Sequence, residues 1–180
     1  PFAEGVLMLC TGEFTKKVES FMNKDKEYLA KIQLGIETDT LDPTGNIVKT
    51  ASVPDLSIDQ IKTVLKIFIG NIKQEPPMFS AIKVNGQPLY RFARKGINLP
   101  RKKRVITIHE IELIDFSKDI ITIKVTCGRG TYIRSLAKDI AEKLNTVAYL
   151  AALKRTRIGE YDKKNCIEIE DFPEWISART

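Results

Sequence analysis

The sequence predicts an α+β fold in which a mixed, mostly antiparallel sheet is flanked by helices. Two observations support this class. Strands of period two and helical stripes are interspersed, and they do not follow a strict strand–helix–strand order. At 180 residues and 43% hydrophobic composition, the chain can bury a sizeable core. We find no internal repeat and no linker, so we expect one domain over residues 1–180.

The first half of the chain predicts a short helix followed by a strand. Apolar residues recur at helical spacing from Phe14 to Met22. Strict alternation from Tyr28 to Leu34 then predicts a half-buried strand. The polar residues 35–46 predict a loop, because they include the turn-forming run Asp-Pro-Thr-Gly.

Ser57 and Gln60 form a capping box before an apolar helical stripe. We expect this helix to end at Gly70, because glycine is the usual residue after a helix. Residues 74–77 cannot be regular, since Pro76 and Pro77 lack backbone donors.

Two alternating strands are predicted in the second half, over Val105–Leu113 and Ile121–Cys127. A glycine turn follows at 127–130, and apolar residues from Ile133 to Leu144 predict a helix. Residues 148–153 continue apolar and run into a basic stretch.

Composition excludes several classes of protein. The chain has 29 Lys+Arg against 23 Asp+Glu, a net charge of +6 and a pI near 9.2. Ordinary glycine and proline contents exclude collagen-like and wholly disordered chains. There is no apolar run of membrane-spanning length and no leader, so we expect a soluble, cytoplasmic protein. We also expect a monomer. The first residue is Pro1, which suggests a processed chain or part of a longer one.

Metal and histidine-dependent chemistry have little support. Only one histidine, His109, is present, within an alternating strand that favours an exposed or edge position. The three cysteines Cys10, Cys127 and Cys166 are far apart, which argues against a zinc site and fits a reducing compartment. We expect these cysteines to be structural and buried.

Basic residues cluster beside aromatic side chains, a pattern that suits phosphate neutralisation and base stacking. A solvated surface remains the alternative explanation for such runs. The clusters are Arg91, Arg94 and Lys95; Arg101, Lys102, Lys103 and Arg104; Lys154, Arg155 and Arg157; and Lys163 with Lys164.

The run from Cys127 to Arg134 reads Cys-Gly-Arg-Gly-Thr-Tyr-Ile-Arg. A strand delivers a glycine turn, and the turn presents Tyr132 and Arg134 at the beginning of a helix, where an anionic ligand can bind. A purely structural turn explains the same residues equally well.

Five stretches of the chain form a combined pattern in this order: Pro1–Leu9 with Thr11 and Gly12; Lys26–Tyr28 through Thr38–Thr40; Gln74–Lys83 through Gly86, Leu89, Tyr90, Ala93 and Arg94; Cys127–Arg134; and Leu153–Gly159. In combination, they resemble the TruB family of tRNA pseudouridine synthases over essentially the whole chain.

The resemblance implies conversion of uridine 55 in the T loop of tRNA to pseudouridine, without metal or cofactor. In such a reaction the base is flipped out of the T arm, an aspartate attacks, the glycosidic bond breaks, and the base rotates and rejoins through carbon. It also implies that tRNA is the partner, with no obligatory protein partner and no membrane.

By the same resemblance, individual residues acquire expected roles. Tyr28 stacks on the base and helps to move a proton, while Tyr132 and Leu153 belong to the uridine pocket. Arg134 pairs with the nucleophilic carboxylate and keeps it ionised. Asp39 matches a family aspartate near that network.

The family nucleophile lies in a Gly-Thr-Leu-Asp-Pro motif, of which Pro1 is the proline. The resemblance therefore places the nucleophilic aspartate immediately before Pro1, and the chain alone is expected to be inactive. The run from Leu41 to Gly45 imitates this motif at a different place in the chain, so we reject Asp42 as the nucleophile. Phe79 stands where the family commonly has tyrosine.

Residues 73–104 resemble the insertion that grips the T loop in this family. The expected RNA contacts are Lys83, Arg91, Arg94, Arg101, Lys102, Lys103, Arg104 and Arg155. About twenty residues follow Gly159, too few for the C-terminal PUA domain of many relatives.

Two other functions remain open. The chain could be an RNA-binding fragment without catalysis, since it carries no nucleophile of its own. It could also be a guide-RNA-dependent relative of the dyskerin type, although the lack of room for a PUA domain argues against that class.

Overall fold

The computed structural model describes residues 2–178, so Pro1 of the first motif lies outside the described residues. The strands are β1 Glu4–Gly5, β2 Lys26–Leu34, β3 Ile36–Thr38, β4 Ile47–Thr50, β5 Gly70–Gln74, β6 Lys83–Val84, β7 Gln87–Pro88, β8 Arg104–Ser117, β9 Ile120–Cys127, β10 Ala148–Ile158 and β11 Tyr161–Asp162. The α-helices are α1 Val18–Asn23, α2 Ile58–Lys66, α3 Leu89–Ala93, α4 Ile133–Lys143 and α5 Phe172–Ser177, and 3₁₀ helices cover Gly12–Lys17 and Lys163–Asn165.

The principal sheet has seven strands in the order β1-β10-β2-β9-β8-β5, with β11 paired to β10. Its pairs are antiparallel except for the short parallel contact between β1 and β10. The predicted α+β class with a mostly antiparallel sheet is therefore confirmed.

One face of this sheet is closed by helices α2 and α4. Ala30, Ile32 and Leu34 point from β2 into this core, as their period-two spacing predicts. Leu65 from α2 and Leu136 from α4 pack on the same cluster. The strand and helix that carry Tyr28 and Arg134 are thus held by a common core.

Three local predictions differ from the structure. Helix α2 ends at Lys66, and Gly70 instead begins β5 with a φ of +98°. The expected loop at 35–46 contains the short strand β3, which pairs with β4. The expected irregular segment 74–77 begins one residue later, because Gln74 still pairs with Arg104.

Residues 75–103 connect the neighbouring strands β5 and β8. This segment holds the small β6–β7 hairpin and helix α3. From residue 81 to residue 103 only Leu89 is buried, so the connection has almost no core of its own.

Across residues 2–178, the helices are all too short or too polar to span a bilayer.

Candidate active site

A cavity of about 430 Å³ lies where β2, β10 and the beginning of α4 meet. This volume falls within the range of small-molecule pockets. Its lining combines aromatic and aliphatic side chains with one arginine and one aspartate: Phe2, Ala3, Tyr28, Asp42, Thr44, Thr131, Tyr132, Ile133, Arg134 and Leu153. The structure therefore brings together four of the predicted site residues: Tyr28, Tyr132, Arg134 and Leu153.

Tyr28 and Leu153 share one face of the sheet. Tyr28 lies opposite Arg155 on β10, and Leu153 lies opposite Ala30 on β2. Because directly opposed residues and residues two apart point to the same side, the two side chains form one wall. Burial raises the pKa of the Tyr28 hydroxyl above its usual value, and the charge of Arg155 partly offsets this.

The turn after β9 presents the opposite wall. Gly130 has a φ of +85°, and the Thr131 hydroxyl donates to the carbonyl of Gly128. Tyr132 then takes the N-cap position of α4 with an extended backbone. Since only glycine adopts such a positive φ without strain, the turn needs a glycine at position 130.

Arg134 donates three hydrogen bonds to two separate parts of the chain. Its Nη1 contacts the Thr40 carbonyl at 2.9 Å and Asp42 Oδ2 at 2.8 Å, and its Nη2 contacts the Phe79 carbonyl at 2.7 Å. The Arg134 side chain is 20% exposed and that of Asp42 is 7% exposed. The guanidinium is therefore fixed in place beside the cavity.

Asp42 is held by its neighbours as well as by Arg134. Its Oδ1 accepts hydrogen bonds from the Thr40 hydroxyl and from the hydroxyl and backbone N–H of Thr44. Burial alone would raise the pKa of this carboxyl, but the hydrogen bonds from Thr44 and Thr40 and the charge of Arg134 outweigh it and lower the pKa. Asp42 is thus an ionised partner for Arg134.

The tight turn at 39–45 depends on two special residues. Leu41 has a φ of 60°, a left-handed conformation that costs roughly 1–3 kcal/mol in a non-glycine residue. A Cβ at Gly45 would lie 2.2 Å from Asp39 Oδ1 and 2.4 Å from Thr40 Oγ1. Glycine is therefore required there for the turn that presents Asp42.

The structure corrects the expected position of Asp39. Asp39 is exposed, its Oδ1 accepts from the Asn46 backbone N–H, and it is not among the described residues that line the cavity. The carboxylate beside Arg134 is Asp42, because the left-handed Leu41 turns the chain back between them. The sequence did carry a signal, since an aspartate flanked by Thr40 and Thr44 is typical of a hydrogen-bonded turn.

The predicted RNA contacts divide into two groups. Six of them are exposed: Lys83, Arg91, Arg94, Lys102, Lys103 and Arg104. Arg101 instead pairs with Glu75 at 2.7 Å, and Arg155 Nε donates to the Val6 carbonyl at 2.7 Å. These two arginines already hold parts of the fold together.

Histidine and cysteine lie outside the cavity. His109 is on β8 with Nε2 3.0 Å from Asp25 Oδ1, on the exposed surface as expected. Cys127 is buried, and burial raises its pKa to about 11. Cys10 is partly buried and Cys166 is exposed, so the expected burial is wrong for Cys166. Residues 2–178 contain no group of three potential His, Cys, Asp or Glu metal ligands.

Comparison with known families identifies the family of the chain. Residues 1–133 match the model described as TruB family pseudouridylate synthase (N terminal domain), and residues 134–180 match that of the tRNA pseudouridylate synthase B C-terminal domain. The chain belongs to the TruB family. The boundary between the two matches falls inside α4, so it does not divide the core.

Curated TruB relatives are similar over nearly all of this chain. The tRNA pseudouridine synthase B of Hydrogenovibrio crunogenus is 48% identical over 172 residues, which cover 96% of this chain and 57% of that protein. The tRNA pseudouridine synthase B of Phocaeicola vulgatus is 43% identical over 179 residues, covering 99% of this chain and 76% of that protein. The chain thus spans between about half and three quarters of these relatives.

Solved structures share the fold. A Cbf5-Nop10-Gar1 complex matches with a TM-score of 0.65 and 26% identity, covering 92% of this chain and 41% of the other. An H/ACA RNP bound to a substrate RNA containing 2'-deoxyuridine matches with a TM-score of 0.61, but at 22% identity this likeness shows the fold alone.

Proposed function

We propose that this chain is the catalytic part of an enzyme that isomerises uridine 55 in the T loop of tRNA to pseudouridine. The cavity carries the proposal, because it combines aromatic walls with a fixed Arg134–Asp42 pair. The naming of relatives that are 43–48% identical as tRNA pseudouridine synthase B supports tRNA as the substrate.

The cavity suits a base that has been flipped out of the RNA. An extruded base needs an aromatic surface for stacking and apolar contacts at its edges. Tyr28 offers the stacking surface, and Tyr132 and Leu153 offer the remaining walls. The raised pKa of Tyr28 keeps its hydroxyl protonated, so it can donate a proton or a hydrogen bond.

The nucleophile in this proposal is the aspartate that immediately precedes Pro1 in the full-length protein. Phe2 and Ala3 line the cavity, and a residue two positions before Phe2 is at most about 7 Å away along the chain. Arginine has five N–H donors. The described residues accept three of those of Arg134, which leaves two for a second carboxylate.

Asp42 has a different role in this proposal. Hydrogen bonds to both of its oxygens come from Thr40, Thr44 and Arg134, so it is poorly placed to attack a base. It anchors Arg134, and Arg134 in turn keeps the nucleophile ionised. The reaction needs no metal or cofactor.

The connection 75–103 is the part that grips the T loop. Lys83, Arg91 and Arg94 are exposed on it, and the Arg94 guanidinium lies 5.4 Å from the centre of the Tyr90 ring. Lys102, Lys103 and Arg104 extend this basic surface to its root. Such cations neutralise phosphates and orient the RNA without reading its sequence.

The enzyme acts on free tRNA in the cytoplasm without a guide RNA or a partner protein. The chain is 48% identical to a relative named for tRNA and 26% identical to the matched chain of the Cbf5-Nop10-Gar1 complex, which supports this over the dyskerin type. Without the preceding aspartate, the chain binds RNA but does not catalyse the reaction.

The test is tritium release from T-arm RNA labelled at C5 of uridine, with purified protein and no other component. We expect release by the protein that includes the residues before Pro1, and RNA binding without release by the chain that begins at Pro1. Turnover by the shorter chain would contradict the placement of the nucleophile. Absence of turnover by the longer protein on free tRNA, with turnover restored by a guide RNA, would favour the dyskerin type.

A further inference from the structure

Gln74 is a buried amide that holds both backbone groups of one cavity residue. It is the last residue of β5 and is 2% exposed. Its Nε2 donates to the Tyr132 carbonyl at 3.1 Å, and its Oε1 accepts from the Tyr132 N–H at 2.8 Å. A single side chain therefore clamps Tyr132 from a position 58 residues away.

Tyr132 lies where the glycine turn becomes helix α4. Its carbonyl also accepts from the Leu136 N–H, in the first turn of the helix, and its own side chain makes no capping hydrogen bond. The orientation of this residue sets the direction of its ring and, two residues later, of Arg134. The clamp acts at the point from which both side chains project.

The segment next to Gln74 is joined to the same turn of helix. The Ser135 hydroxyl donates to the Glu75 carbonyl at 2.8 Å, and Arg134 Nη2 donates to the Phe79 carbonyl at 2.7 Å. Residues 74–79 comprise the last residue of β5 and the first residues of the connection 75–103. The wall of the cavity and the root of the basic connection are thus one hydrogen-bonded unit.

We infer that Gln74 is a positioning residue for pseudouridine formation, acting through the backbone of Tyr132. This inference rests on the proposed function. Gln74 is not among the described residues that line the cavity, and its buried side chain is not exposed to RNA. Its loss therefore slows the chemical step and leaves RNA affinity unchanged.

Gln74→Glu tests the clamp through pH. A protonated glutamate reproduces the amide pattern, because its O–H donates to the Tyr132 carbonyl while its other oxygen accepts from the N–H. An ionised glutamate has no donor and repels that carbonyl. Burial raises the pKa of a carboxyl above its ordinary value near 4.3, which moves the loss of the donor towards higher pH.

The measurement is the single-turnover rate on T-arm RNA from about pH 5.5 to about pH 8.5, as a ratio to wild type, with the RNA Kd at each pH. We expect a ratio close to one at low pH and a fall of on the order of tenfold to a hundredfold at high pH. A ratio that does not change with pH, in a folded protein, overturns the inference. So does a loss of RNA affinity equal to the loss of rate.

Two further variants complete the design. Gln74→Met keeps the length of the side chain and removes both hydrogen bonds, so its rate falls at every pH; a wild-type rate would overturn the inference. If thermal unfolding shows that Gln74→Glu unfolds at high pH, the rate of Gln74→Met is the test of the inference. Gln33→Glu is the matched control, because Gln33 Nε2 donates to the Leu34 carbonyl at 3.0 Å, outside the cavity; its ratio stays flat.

The wild-type protein distinguishes failure of the proposed function from failure of the role inferred for Gln74. If wild type fails to release tritium from T-arm RNA, the proposed function fails and the inference falls with it. If wild type turns over and both Gln74 variants do so equally well, only the role of Gln74 is wrong.

Discussion

The cavity and the basic connection 75–103 are built in opposite ways. In the cavity, the buried Asp42 and the half-buried Arg134 form hydrogen bonds that lead back into the fold. In the connection, one residue is buried between 81 and 103, and most cations face solvent. In the proposed function, the first arrangement positions reacting groups, whereas the second supplies electrostatic attraction that tolerates movement. Changes in the cavity should therefore alter rate, and changes in the connection should alter affinity.

Arg134→Ala should have the largest effect. Removing a fixed cation beside developing charge slows the chemical step by on the order of a thousandfold. The tRNA Kd should stay nearly unchanged, because Arg134 pairs with protein groups and is not one of the exposed cations of the connection. Single-turnover tritium release and filter binding measure the two quantities.

The matched control is Arg129→Ala. Arg129 lies in the glycine turn just before α4 and pairs with Glu19 and Asn23, outside the cavity. If Arg134→Ala weakens binding as much as it slows the reaction, the division of labour between the two regions is wrong.

Gly45→Ala should come second. A Cβ there would lie 2.8 Å from the Thr40 backbone nitrogen as well as against Asp39, so the turn that presents Asp42 must open. We expect the rate to fall on the order of tenfold to a hundredfold. The free energy of unfolding should fall by about 1–3 kcal/mol.

Gly86→Ala provides the comparison from the connection. Gly86 has a φ of +77°, but an added Cβ meets nothing within 4 Å. This variant should carry backbone strain without a change in rate. Equal rates for the two alanine variants would show that the 39–45 turn does not position Arg134.

Replacement of Lys102, Lys103 and Arg104 by glutamine should act on affinity. The slope of log Kd against log salt should flatten by roughly one unit for each phosphate contact that is lost. Arg101→Gln should change the slope less, since Arg101 already pairs with Glu75. An unchanged slope for the triple variant would show that these cations are ordinary solvated side chains that do not contact phosphates.

The smallest effect concerns two carboxyls of opposite character. Burial, together with Glu142, raises the pKa of Asp139 to about 6, although Lys103 at the root of the connection opposes the shift. Since the unfolded value is about 3.9, ionisation costs stability as the pH rises from about 4 through 6. At pH 7, Asp139→Asn should increase the free energy of unfolding by about 1 kcal/mol, a value discounted for partial exposure.

The ionised carboxyl of Asp42 has the opposite effect on stability. Its pKa is lowered in the folded state, so its contribution is present above about pH 4 and is lost as the pH falls through the folded value. Asp42→Asn should therefore destabilise the protein at neutral pH. Urea unfolding of both variants at several pH values measures the difference, and a loss of stability in Asp139→Asn at pH 7 would contradict the burial argument.

Local signals account for what the sequence predicted well. Alternation identified β2, β8 and β9, and the capping box of Ser57 and Gln60 marks the beginning of α2 as expected. The predicted end of α2 was wrong, because Gly70 begins the strand β5. The pairing of Arg134 with Asp42 could not be predicted, since it joins residues 92 apart through a left-handed turn at Leu41. The position of the Leu41–Gly45 motif led us to reject Asp42 as the nucleophile. It gave no indication that Asp42 pairs with Arg134.

The most direct test compares two transcripts of the same tRNA, one with uridine 55 and one with cytidine at that position, both labelled at C5 of uridine. The protein that includes the residues before Pro1 should release tritium from the first transcript and not from the second. The Arg134→Ala variant should bind both and release tritium from neither. Equal release from both transcripts, or full release by the variant, would contradict the account.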